Sequence, residues 1–514
     1  MYIQPNTNMR LLSDCPIDNT YSDTLYFSSA TAQYNYFSSL TKYNLSQNSY
    51  TRHSNGVIRV PFNCENLYDC NYCMFQNASF GQKWFYAFIN NVEYVNDNLS
   101  LVYFEIDVMQ SWLFDYTLME SFVAREHSET DYIGDNLVPE SVELGEYIMK
   151  DFMGTGHLQN YAIIVASTFN TNLEDVSGAY YSGIYSGVTL LAFTSADGAN
   201  DFLLRATQAN LSDGIVGVYM VPSDFIRPAN QSVASYTLSF DKNYGSLGGG
   251  YVPKNNKLFT YPYNFLYCTD LNGNSAEFRY EDFSTSNCEF NLSGDMSANM
   301  SIILTPQNYK GVLGNYNEKM VISGFPQCSF NIDSYKAYMA QNSVTTEGNI
   351  AGGFVASALA IAGAVATGGA LAPLAVGAVG NFAGTIASYV SGSVKAQSMP
   401  NQARGGGGSS ALVANHVKDF AFAHMCIKSE FAQIIDDYFD LFGYATNKVK
   451  VPNRNARPHW TYTKTVGCKA VGSVPSDDMR KIKSIYDAGI TFWMSGSEVG
   501  QYYLDNRASE RVNL

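Results

Sequence analysis

The sequence predicts a mainly β protein, built of several β-sandwich or barrel-like domains with a few helices near the C-terminus. Three observations predict it. Among 514 residues there are 38 Tyr and 31 Phe, while charged residues make up only 15%. Aromatic side chains fit a pleated, half-buried surface. From residue 120 to 330, short apolar-aromatic runs alternate with clusters of Gly, Asn, Asp and Ser, the spacing of sandwiches and barrels. One segment, between residues 83 and 110, shows the period-two alternation of a β-hairpin.

Taken in order, residues 1–80 read as irregular, with short aromatic pieces such as Tyr34-Asn35-Tyr36-Phe37. Lys83 to Val95 reads as a strand. Asn96-Asp97-Asn98 is its turn, because Asn and Asp tolerate a left-handed backbone. Leu99 to Gln110 returns, with Val102, Phe104, Ile106 and Val108 on one face and Tyr103, Glu105 and Asp107 on the other. Tyr161–Ser167, Gly217–Pro222 and Ser301–Thr305 are clear strand-like runs further on. Gly245–Gly250 reads as a turn, since it lacks the Lys-Ser/Thr of a phosphate-binding loop. Leu412 to Phe442 is predicted helical, with Ala423, Ile427, Phe431, Ile434, Ile435 and Tyr438 at helical spacing and Gly443 as its cap. A second helix starts at Ser476. Asp477 and Asp478 suit its positive end, Ile482, Ile485 and Tyr486 form its buried face, and Gly489 ends it.

Between these regions lies a stretch of another kind. Gly348 to Val394 contains no Asp, Glu, Lys, Arg or His and is dominated by Ala, Gly, Val, Leu and Ile. One membrane span needs roughly 20 apolar residues, so this is long enough for two arms turned at Ala372-Pro373, where proline disfavours continued helix. Gly380 and Gly384 have the spacing of closely apposed membrane helices. Gly405, Gly406, Gly407 and Gly408 follow as a hinge by composition. A permanent transmembrane hairpin, a buried Ala/Gly helical pair and a segment shielded first and released into lipid later all compete here. The modest hydrophobicity suits the third. The residues expected to enter lipid are Phe354, Leu359, Ile361, Val365, Leu371, Leu374, Val376, Val379, Phe382 and Ile386, with Pro373 at the turn.

A net charge of −15 argues against a protein that clamps nucleic acid, because phosphate binding needs Lys and Arg. It suits a wall past which DNA slides. The start of the chain lacks a basic region followed by an apolar run, so synthesis in a cytosol is expected. Nine scattered cysteines argue against a disulfide framework. Cys64, Cys70 and Cys73 cluster, but nothing in the sequence completes a zinc site. The six histidines form no HExxH, and no Ser sits in GxSxG. Arg125-Glu126-His127 reads as a structural ion-pair cluster, and Asp436-Asp437 as a solvated helix face. No catalytic, cofactor or metal residue is therefore expected.

Four long stretches carry a resemblance. They are Gly81–Trp112, Arg125–Tyr147, Phe325–Asn342 and Gly443–Thr465, with the apolar run between the last two. Together they resemble the tail knob proteins, also called distal tail tube or major tail proteins, of small short-tailed phages of Gram-positive hosts. The resemblance implies a hexameric tube-and-knob with long apolar loops, at the distal end of a virion tail. It implies loops that plug the channel and then enter the host cytoplasmic membrane. It also implies DNA passing through the lumen, and neighbours such as the lower collar or tail tube and the tail tip. On that reading residues 1–130, 321–345 and 411–514 form the tube domain, 131–320 the knob β-domains and 346–410 the membrane-active loop. A wall hydrolase or a receptor-binding module in section 150–320 are the rival functions.

Overall fold

A computed structural model describes residues 7–48, 56–77, 81–158, 160–169, 179–185, 188–211, 214–226, 233–271, 273–297, 300–323, 325, 327–329, 404–405 and 419–509. Strands dominate these residues. The chain forms two compact units. Unit 1 gathers Met1–Glu146, Tyr244–Tyr263 and Ile427–Leu514, and unit 2 gathers Tyr147–Asn243 and Asn264–Cys426.

Unit 1 holds a six-stranded antiparallel sheet in the order 41–48, 7–13, 70–77, 84–96, 99–106, 57–60. The predicted hairpin is present as Trp84–Asn96 and Leu99–Ile106. Residues 1–80 are not irregular: they supply four strands of this sheet, a short strand Asp23–Leu25 and a helix, Ala30–Ser39, capped by Ser29. Their alternation is hidden because both faces of the sheet are buried. Met9, Leu11, Cys73, Ala87 and Val102 pack on one side. Leu12, Tyr72, Met74, Tyr86 and Phe88 pack on the other. Tyr34–Phe37 lie in the helix, and Phe37 stacks on Tyr72 at 5.2 Å. Asp107 also departs from expectation. The strand stops at Ile106, and the buried Asp107 carboxylate caps the helix Val108–Ser111 by accepting from the amides of Met109 and Gln110.

A second sheet of unit 1 runs 23–25, 490–493, 460–466, 121–126, 444–450. The region 412–442 is not one helix. Among its described residues Ala421–Ile427 is a strand and Ser429–Phe442 is helical, with Lys428 extended between them. Ala423 and Ile427 therefore belong to a strand, and Phe431, Ile434, Ile435 and Tyr438 to the helix. Gly443 ends that helix at φ 65°. The helix Ser476–Ala488 has its predicted bounds, and Ile482, Ile485 and Tyr486 are buried. They join Trp460, Trp493, Phe37 and Tyr86 in one core.

Unit 2 contains three sheets. A four-stranded sheet runs 147–154, 421–427, 264–269, 275–278. A five-stranded sheet pairs 233–241, 287–295, 301–309 and 312–314, with 320–323 also on 301–309. A six-stranded sheet runs 179–185, 188–193, 161–167, 215–222, 327–329, 404–405, and the helix Ala196–Gln208 accompanies it. The runs singled out in the sequence at 161, 217 and 301 are all strands. Among the described residues no helix is long and apolar enough to cross a membrane.

Candidate functional site: the neck of the apolar segment

The central strand Tyr161–Ser167 is buried along its whole length. Strand Ile215–Pro222 pairs with it, and Gln327–Ser329 adds to the far side of that strand, with Gly217 opposite Ser329 and Tyr219 opposite Gln327. Arg404 and Gly405 then add to Gln327–Ser329, antiparallel, with Cys328 opposite Gly405 and Ser329 opposite Arg404. Ser329 and Arg404, far apart in the chain, are thus paired neighbours in this sheet. Neighbouring strands lie about 4.8 Å apart. Phe325, just ahead of Gln327–Ser329, is buried with its ring 6.2 Å from that of Tyr161. In sequence, residues 330–403, including the uncharged run 348–394, lie between these two strands and outside the described residues. Phe354, Leu359, Ile361, Val365, Leu371, Leu374, Val376, Val379, Phe382, Ile386 and Pro373 lie outside the described residues, as do Gly406, Gly407 and Gly408. Gly405 is described, in the strand opposite Cys328.

The titratable clusters of unit 1 hold structure together. Arg125 pairs with Glu140, and Glu126 with Lys450. His127 Nδ1 accepts the Tyr462 amide at 2.8 Å, so the ring proton sits on Nε2 and is donated to the Asp440 carbonyl at 3.0 Å. Burial, then the charge of Arg457, pushes this imidazole down to about 3. A neutral ring with both nitrogens occupied has no atom left to act as a base. Lys257 closes the group with an ion pair to Glu140 at 2.5 Å.

Asp436 overturns the expectation of a solvated face. It is fully buried, while its neighbour Asp437 is exposed. Its carboxylate accepts from the Tyr251 hydroxyl at 2.6 Å, the Lys254 amide at 2.6 Å, the Asn255 amide at 2.9 Å and Asn255 Nδ2 at 2.8 Å. The next amide, of Asn256, goes to Asp131 at 2.8 Å. Two carboxylates thus collect three successive amides of the strap 244–263. Nothing local in the sequence announces this, because the partners lie far apart along the chain. Cys64, Cys70 and Cys73 are buried thiols, and burial pushes Cys70 up to about 11. Among the described residues no group of three His, Cys, Asp or Glu could hold a metal ion.

Comparison with known proteins places the chain in a family. Residues 227–507 match the family described as Bacillus phage phi29 tail knob protein gp9, C-terminal domain. Residues 5–117 match the caudoviral major tail protein N-terminus. The chain is 26% identical to the tail knob protein gp9 of Bacillus phage B103, covering 97% of this chain and 98% of that one. It is 24% identical to the gp9 of Bacillus phage phi29 over the same shares. The solved structure of the bacteriophage C1 tail knob protein, gp12, shares the fold at a TM-score of 0.58 and 15% identity, covering 96% of this chain and 98% of that one. A family match over more than half the chain, with a neck, structural ion pairs and strand-rich units behind it, establishes that this chain belongs to the phi29 gp9 tail knob family, non-enzymatic structural components of phage tails.

Proposed function

We propose that the chain is one subunit of a homo-hexameric distal tail tube and knob through which phage DNA leaves the virion. Its apolar segment plugs the channel and then penetrates the host cytoplasmic membrane. The observation that carries this reading is the neck: the uncharged run 348–394 lies, in sequence, between Ser329 and Arg404, which are paired on adjacent strands. A run tethered so would insert as a two-armed unit whose backbone groups satisfy each other in lipid, as a bilayer demands. The net charge of −15 supports a lumen along which DNA slides without sticking. We assign residues 1–130, 321–345 and 411–514 to the tube and 131–320 to the knob. Unit 1, which joins Met1–Glu146 to Ile427–Leu514, supports grouping 1–130 with 427–514, whereas 321–345 and 411–426 fall in unit 2. Neighbouring tail proteins would meet the tube at its ends.

The test is dye release from liposomes by wild type, by Ala364→Asp, by Val376→Lys and by a deletion of 348–394. A charge at the centre of a span costs about 3 kcal/mol on insertion scales, so the charged variants should assemble normally and release far less dye. Because the neck strands stay paired, the deletion should fold. Equal dye release by all four proteins would refute membrane entry. An unfolded deletion would mark the segment as core.

A further inference from the structure

Unit 1 carries two exposed apolar surfaces of opposite charge. In the sheet 23–25, 490–493, 460–466, 121–126, 444–450, Phe122 stands directly opposite Val449 on one side and Val466 on the other. Directly opposed residues share a sheet face. All three are exposed, at 65% for Val449, 40% for Phe122 and 60% for Val466. They form one apolar row across three strands, ending at the edge strand Tyr444–Lys450. Lys464 lies two residues before Val466 on the same face and Lys469 is exposed just beyond, while Lys448, opposite the buried Val123, belongs to the other face. Among the described residues Lys464 and Lys469 make no ion pair. An exposed apolar row on a sheet edge is a surface that chains usually cover.

The second surface is the tip of the hairpin in the other sheet of unit 1. Strand Trp84–Asn96 runs beside strand 70–77 only as far as Phe88, and its far end keeps the strand 99–106 as partner. Tyr94 and Val95 are exposed at that tip, at 54% and 43%. Glu93 and Asp97 flank them, exposed, and accept from the hydroxyls of Tyr103 at 2.6 Å and Tyr94 at 2.8 Å. Neither carboxylate has a cationic partner among the described residues. The tip therefore offers two apolar side chains between two carboxylates. The row offers three apolar side chains bordered by unpaired lysines.

We propose that the 93–97 tip of one copy of this chain docks on the Val449–Phe122–Val466 row of the next. The proposal rests on the homo-oligomer reading above and names its contact. The occupant is a second copy because the same chain carries both halves of the match, in shape class and in charge sign. A contact between two different patches is head-to-tail, and repeated with a fixed rotation it closes a ring.

The test uses the full chain in sedimentation velocity at about 0.1 M and about 0.5 M salt, since screening should weaken the contact. Lys464→Glu with Lys469→Glu should raise the concentration for half-assembly about tenfold, and Glu93→Lys with Asp97→Lys likewise. Combining all four should restore assembly to within about threefold, which a folding defect could not do. Phe122→Ser should weaken assembly at either salt while leaving the melting temperature unchanged. If wild type assembles and neither reversal disturbs it, or the combination repairs nothing, the docking is wrong and the oligomer reading stands. If wild type is monomeric at tens of micromolar, both fall.

Discussion

Truncating Asp436 should cost more than any other single acidic side chain on the helix Ser429–Phe442. Asp436→Ala removes the acceptor for four hydrogen bonds. The Asn255 amide sits on a buried residue and is left with no acceptor, while Asn255 Nδ2 keeps only its 3.2 Å bond to the Asp436 main-chain carbonyl. Each unsatisfied buried donor costs about 1–3 kcal/mol. The Tyr251 hydroxyl and Lys254 amide are half-buried and regain some water. The four losses share one site and do not add fully, so about 3–5 kcal/mol is expected. For a unit of this size that lowers the melting transition by roughly 10 °C. Asp437→Ala, one residue on, removes only a 3.3 Å contact between half-exposed Lys254 and an exposed carboxylate. It should change stability by less than about 0.5 kcal/mol. Calorimetry gives the two melting temperatures, and hydrogen exchange reads the amides of residues 254–256 directly. Equal melting temperatures for the two variants, with the strap amides still protected in Asp436→Ala, would refute the assignment of Asp436 as the strap's anchor.

Gly443→Ala should cost at least about 3 kcal/mol in denaturant unfolding: Gly443 has φ 65°, and a Cβ there would collide with the backbone of Glu126 and His127. Gly467→Ala, at φ 70° with open space around it, should cost only about 1 kcal/mol. Burial pushes the Asp107 carboxyl up to about 6, against the lowering effect of its bonds from Tyr72, Gln110 and Met109. The folded state therefore holds this proton more tightly than the unfolded chain, whose value is near 4. Its contribution to stability is present below pH 4 and is lost as pH rises through 6. Asp107→Asn should remove a fall of order 2–3 kcal/mol between pH 4 and 7 in urea titrations, and parallel pH profiles would count against it. His127 has the opposite sign: its folded value, about 3, lies below the unfolded value near 6.5. The stability it confers is present above pH 6.5 and lost on acidification towards 3. Its imidazole NMR signals should keep the Nε2–H form down to pH 4.

The most legible parts of the fold were those whose signal is local. The hairpin 84–96/99–106 shows alternation and an Asn-Asp-Asn turn, and the helix 476–488 shows acidic residues at its start and a glycine at its end. The segment 412–442 misled because Ala423, Ile427 and Phe431 happen to fall four apart, while the strand Ala421–Ile427 is almost wholly buried and shows no alternation. Residues 7–77 were missed for the same reason, since their sheet is covered on both faces. The composition of 348–394 made the apolar segment visible. Its neck was not, because a three-residue and a two-residue strand carry no periodicity. Asp436 and Asp131 were unreadable as anchors, since a carboxylate that captures distant amides looks, in sequence, like any surface acid.

The order in which unit 1 is completed during synthesis follows from its make-up. Its main core joins Leu12, Phe37 and Tyr72 to Trp460, Ile482 and Trp493. The strand 121–126 lies between 460–466 and 444–450. At roughly 5–20 residues per second, translation delays those last strands by many seconds after their partners emerge. Unit 2 lies wholly within the interval and can close first. Until then the Leu12 and Tyr72 face of the N-terminal sheet is covered only in part, by Phe37 and its N-terminal neighbours, the period in which a nascent chain is most exposed to aggregation. A chain lacking residues 444–466 would also lack both strands that flank 121–126.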